Sequence, residues 1–142
     1  MEKIADSIEK LLQKKLASYT ALTELLTQER DAIVDMDLAP LWEALDRKKE
    51  IGKNIESLRS SILFLFDQQS IEHSMEVGTF SLAQLMSLVS FSKPEKAALS
   101  ALNFSINKEK AEVARIAMEN QTHVRDRLEV VDGLVATLLP IP

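Results

Sequence analysis

Apolar residues recur at intervals of three and four along most of this chain, the spacing of one face of an α-helix. The last third shows the pattern most plainly. Its stripe runs Leu99, Leu102, Ile106, Val113 and Ile116, meets Asn120, and resumes as Val124, Leu128, Val131, Val135 and Leu138. No Gly or Pro falls between Pro94 and Gly133. The stretch opens on Ser92-Lys93-Pro94-Glu95. Ser92 can cap a helix, Glu95 can reach back to the cap amide, and Pro94 falls in the first turn, where its missing N–H costs nothing. The spacing predicts one helix over 93–139. About 45 helical residues span roughly 68 Å. A rod of that length offers its side to another protein rather than enclosing a reaction cleft.

Two more long helices precede it. The first, over 2–34, carries Ile4, Ile8, Leu11, Leu12, Leu16, Tyr19, Leu22, Leu25, Leu26 and Ile33 on one face. Asp35-Met36-Asp37 breaks it, and Asp37 is a suitable cap for a second helix over 37–66, with Pro40 in its first turn. That helix presents Leu38, Leu41, Leu45, Ile55, Leu58, Ile62 and Leu65. Lys48 and Gly52 lie on the same seam. Lys48 is expected to run its stem along apolar surface and free its charge at the edge. Gly52, costly inside a helix, is expected to mark a close crossing. The short connection makes these two helices antiparallel neighbours. The polar stretch 67–80 reads as a loop. Ser81 then caps a short helix over 81–90, with Leu82, Leu85, Met86 and Val89 on one side. The expected fold is all-α: a single domain over 1–142, an antiparallel, coiled-coil-like helical bundle of three long helices plus one short helix.

Composition narrows the function classes. Hydrophobic residues make up 46% of the chain, too many for intrinsic disorder. Aromatics at 5%, with 3 Gly and 4 Pro, argue against a β-sandwich or barrel. A net charge of −5 suits neither nucleic acid nor an anionic membrane surface. The absence of cysteine excludes disulfides and thiol catalysis. The first residues are charged and lack an apolar signal core, and the longest apolar run, 62–66, is too short to cross a bilayer. A cytoplasmic location is the expectation.

No residues stand out to carry catalysis. His73 and His123 are 50 positions apart and are expected to be solvated, with no metal-ligand spacing around them. There is no Gly-rich phosphate loop and no GxSxG. The carboxylates sit beside Lys or Arg, as in Glu109-Lys110 and Arg125-Asp126-Arg127. The expectation is a non-enzyme without cofactor or metal.

Two features point to a protein partner. Asn120 interrupts an apolar seam where the three-four rhythm slips. It reads as a register device or solvated position at a stutter, or as a partner contact. The third helix is also longer than either of the others by about four turns, as counted from the rise per residue. The short helix can cover its near end. The far end would carry Val131, Leu134, Val135, Leu138 and Leu139 beyond the bundle, and an exposed apolar strip of that size marks a partner site or a self-association surface.

Thr23-Glu24-Leu25-Leu26-Thr27-Gln28-Glu29, then Ala32, Asp37, Leu41, Lys48-Lys49 and 55–58, resemble the N-terminal half of FlgN-like proteins. The helix with Arg115, Asn120, Val124 and Leu128 resembles that family's long third helix; family members often have a second Asn three residues earlier, where this chain has Ala117. The resemblance implies a cytoplasmic type III export chaperone that binds the hook–filament junction proteins, FlgK- and FlgL-like, before secretion, with the export apparatus as a further partner. Carried onto this chain, the implied client-binding region holds Asn120, Val124, Leu128, Val131, Leu134, Val135, Leu138 and Leu139. The alternative is a non-catalytic coiled-coil scaffold, a homo-oligomer joined through the same strip.

Overall fold

Helix α1 (Ile4–Val34) is the axis of the molecule, and α2 (Leu38–Gln68) and α4 (Lys93–Leu138) pack along two of its sides. The computed structural model describes residues 3–138, except for the side chains of Val77, Val135 and Leu138. A 3-10 turn (Val77–Thr79) and a five-residue helix α3 (Leu82–Met86) lie between α2 and α4. No strand occurs among the described residues.

Side-chain pairs fix the directions. Asn54 donates to the Ser18 hydroxyl at 2.8 Å and Lys48 pairs with Glu29 at 2.6 Å, so α2 runs antiparallel to α1. Thr23 donates to Glu109 at 3.1 Å, and Asn120 reaches Leu26 and Glu29, so α4 runs parallel to α1. The bundle is therefore up-down-up, with the 69–92 connection closing its lower end. Phe66, Ile8, Leu12, Ile62, Leu85, Leu99 and Ile106 are wholly buried there, and Leu82 and Met86 join them from α3. The apolar stripes of all four helices meet in this one cluster.

Both antiparallel turns begin with the same C-terminal device. Met36 (φ 54°) and Ser70 (φ 57°) adopt the left-handed conformation just past α1 and α2. The next amide in each case bonds back five residues, Asp37 to the Ala32 carbonyl at 2.9 Å and Ile71 to the Phe66 carbonyl at 3.0 Å. This is the Schellman arrangement, which satisfies carbonyls the helix end leaves open and turns the chain sharply.

At its start α4 is held as the sequence implies. The Ser92 amide donates to Glu95 at 2.8 Å and the Glu95 amide to the Ser92 hydroxyl at 3.3 Å. The Ser92 amide bond holds the Glu95 carboxyl below its ordinary range. Ser81 caps α3 by accepting from the Gln84 amide.

Several local expectations differ from the structure. Asp37 occupies the cap position of α2, but its side chain makes no cap hydrogen bond. Nothing lies within 4 Å of a Cβ built on Gly52, so no helix crosses closely there. Lys48 does not free its charge into solvent; it neutralises Glu29. Leu38, expected in the core, is 65% exposed, and Leu41 is only half-buried. The buried face of α2 is rotated toward Ala44, Ile55, Leu58, Ile62, Leu63 and Phe66. The short helix ends at Met86 rather than residue 90, because Ser87 turns its hydroxyl onto the Gln84 carbonyl at 2.6 Å and Leu88 closes a three-residue turn. His73 is not a solvated loop residue. Its Nδ1 accepts from the Met75 amide at 3.2 Å, its Nε2 meets Asp67 at 2.8 Å, and its ring stands edge-on to Phe66. The imidazole pins the 69–76 segment to the end of α2. His123 is half-buried on α4.

Candidate partner-binding groove

At the upper end the three long helices do not finish together. The register between α1 and α4, read from Thr23 with Glu109 and Glu29 with Asn120, brings α1 to its last turn beside about residue 125 of α4. The stretch from Leu128 onward continues for about 15 Å with no α1 beside it.

The notch so formed is an apolar groove of about 280 Å³. Ala32 and Ile33 of α1 form its floor, Met36 and Leu38 of the turn and Leu41 of α2 one wall, and Val124, Leu128 and Val131 of α4 the other. Arg127 brings the one charge among the described residues that line it. Leu38 at 65% exposed, Leu128 at 57% and Met36 at 54% leave more than half of their surface in water. Leu134, 56% exposed, extends the strip beyond the groove.

A second cavity, about 270 Å³, adjoins the groove and shares Ile33 and Val124 with it. Glu29, Lys48, Asn120 and Gln121 bring polar groups to its wall. The Asn120 side chain is 3% exposed; its Nδ2 donates to the Leu26 carbonyl at 3.0 Å and to Glu29 Oε1 at 3.1 Å. Glu29, also buried, takes Lys48 on its other oxygen. Asn120 Oδ1 is buried without a hydrogen-bond partner among the described residues. This network crosses all three long helices. A paired carboxylate and a two-donor amide are tolerable inside a bundle only in one register, so the cluster fixes how far α4 slides along α1.

The structure brings Asn120, Val124, Leu128 and Val131 together at these two adjoining cavities. Leu134 lies on the same exposed strip beyond them. Leu139 is outside the described residues, as are the side chains of Val135 and Leu138. The opposite wall, Met36, Leu38 and Leu41, does not belong to the strip that the sequence singles out. Leu38 and Leu41 fit the helical stripe of α2, and periodicity alone assigns them to the core. The signal that separates them is the break at Asp35–Asp37: a stripe that starts in the same turn where α1 ends has no α1 surface to cover it.

Among the described residues no three His, Cys, Asp or Glu side chains gather to hold a metal ion. No helix among them is long and apolar enough to cross a membrane. A family model described as FlgN protein matches residues 1–142, the whole chain. The chain belongs to the FlgN family. No curated protein and no solved structure matches it. FlgN proteins are flagellar export chaperones, a family of protein-binding helical molecules, and a groove at the open end of a helical bundle is a feature suited to that work.

Proposed function

We propose that this FlgN-family chain is a non-catalytic cytoplasmic chaperone that holds hook–filament junction proteins, FlgK- and FlgL-like, by seating an amphipathic client helix in the groove between the α1–α2 turn and the far end of α4. The observation that carries the reading is the apolar lining of that groove on three helices, with Leu38 and Leu128 facing water across it. A client helix laid there would continue the bundle where α1 stops, the helix-in-groove mode of recognition.

The energetics are adequate. Covering the Met, Leu and Val side chains of the groove, together with a matching client face, releases roughly 10–20 kcal/mol gross at about 1.5–3 kcal/mol for each fully covered side chain. Lost freedom on association opposes this by about 4–15 kcal/mol. A net of about 8 kcal/mol corresponds to micromolar affinity.

The test is calorimetric titration of the purified protein with a purified FlgK-like junction protein from the same host. Leu38→Asp and Leu128→Asp should each weaken binding by at least tenfold while far-UV dichroism stays helical. Phe104→Asp, at a site 72% exposed on the lower half of α4, should bind like wild type. Equal affinity in all four proteins would refute the assignment. If the junction protein fails to bind at all, and the groove variants instead abolish self-association, the groove serves a second copy and the scaffold reading replaces this one.

A further inference from the structure

On the lower half of the bundle, away from the groove, three cations converge. Lys15 of α1 is 3% exposed, and its ammonium sits 4.4 Å from the centre of the Phe80 ring. Lys110 of α4 lies 5.7 Å from the centre of the Tyr19 ring. Arg59 of α2 donates from Nη2 to the Tyr19 hydroxyl at 3.3 Å, and its buried Nε has no partner among the described residues. None of the three makes an ion pair with a carboxylate among the described residues. For the buried Lys15, water cannot supply the missing counter-charge. The carboxylate of Glu109, next to Lys110, is turned away onto Thr23.

Lys15 and Lys110 both line a cavity of about 210 Å³. Ser81, Asn103 and Asn107 add a hydroxyl and two amides to its wall. The Lys15 ammonium has three N–H donors and makes no hydrogen bond among the described residues, and neither do the side-chain amides of Asn103 and Asn107. Enclosing a cation without a counter-charge is costly, and aromatic contact offsets only part of that cost. A cavity that gathers unspent donors and positive charge, with no acid in its described lining, is complementary to an oxyanion.

We propose that the cavity between α1, α4 and the 80–83 segment is a binding site for a small oxyanion, phosphate or carboxylate, held by the ammonium groups of Lys15 and Lys110 with the side-chain amides of Asn103 and Asn107. The anion supplies the counter-charge that Lys15 and Lys110 lack. It also ties the 80–83 segment to α1 and α4, since Phe80 and Ser81 form part of the same wall. Burial and the nearby Lys110 and Arg59 push the Lys15 ammonium down to about 7, and an anion at the site would restore its charge. The site is independent of the groove and of what binds there.

The test uses the full chain at pH 7 and constant ionic strength, exchanging sodium chloride for inorganic phosphate in one arm and for succinate in the other, and following the thermal midpoint. Phosphate stabilises many proteins by exclusion from their surfaces, so the reading is the difference between wild type and Lys15→Met in the same buffer. Wild type should gain roughly 2–4 °C at saturating anion. Lys15→Met should lose that gain, and Lys110→Gln, a surface-side change that spares the core, should lose most of it. A gain in phosphate alone identifies a free phosphate-type ligand, and a gain in succinate identifies a carboxylate, such as an acidic side chain of a partner. Equal shifts in wild type and Lys15→Met in both buffers, or no shift beyond chloride, overturn the proposal. Should Lys15→Met fail to fold, Lys110→Gln and a phosphorus resonance titration of wild type decide it: no line broadening with wild type would contradict the site.

Discussion

Lys15 shows how one buried side chain can make stability depend on pH. Its ammonium titrates at about 7 in the folded protein because burial, and then Lys110 and Arg59, disfavour the charge. In the unfolded chain it returns to about 10.4. Between these values the unfolded state holds more protons than the native state, so stability rises with pH across the window from about 7 to about 10. The groups that face it are Phe80, Lys110 and Arg59, with no acid among them. Lys110 is displaced downward in the same direction, by burial first and Arg59 second. Lys15→Met removes the larger contribution and keeps the smaller. Chemical denaturation in chloride buffer should therefore show the variant ahead of wild type by more at pH 7 than at pH 10. A constant difference across that range would show that Lys15 does not titrate there. At the other end of the bundle, Asn120 fixes register through Leu26 and Glu29. The sequence makes it visible as a polar break in an apolar stripe, but its partners, on a helix about 90 residues away, are not readable from spacing.

At the scale of elements, the long helices are legible because apolar residues recur at helical spacing along each of them, with few interruptions over 30 residues or more, and Ser92 with Glu95 announces the start of α4. Their ends and local turns are less so. The Schellman turns at Met36 and Ser70 lack the glycine that signals them, and each places a non-glycine residue in the left-handed region. Ser70 is exposed and lies outside the groove. Ser70→Gly should relieve that strain and stabilise the protein by about 1 kcal/mol, read from the shift of the urea midpoint at unchanged slope. Destabilisation would mean that the Ser70 side chain contributes more than its backbone costs. The 69–92 connection reads in sequence as a plain loop and a short helix. Its order depends on contacts that cross elements: His73 against Phe66 and Asp67, and Phe80 under Lys15. No local pattern encodes these. The groove is half legible for the same reason. Its α4 wall follows from helix length, whereas periodicity alone puts Leu38 and Leu41 in the core, and only the break at Asp35–Asp37, set against the α2 stripe, separates them.

At the scale of the whole molecule, the bundle is closed at one end and open at the other. The lower end concentrates the fully buried side chains and is covered by the 69–92 connection. The upper end carries the register-fixing polar cluster and, above it, an apolar groove and an α4 segment with no α1 beside it. Stability should be distributed in the same way, high where three helices and α3 enclose the core and low where α4 stands alone. The proposed work of the protein uses this asymmetry, since the open end gains most from a partner helix. Hydrogen exchange resolved by segment, on the free protein at dilutions where it is monomeric and again with a saturating FlgK-like junction protein, tests that most directly. In the free protein, α4 amides beyond Val124 should exchange much faster than those between Leu99 and Asn120, and the client should slow the fast set together with the 33–41 segment. Slow exchange beyond Val124 in the free monomer, or a client that protects neither segment, would contradict the account.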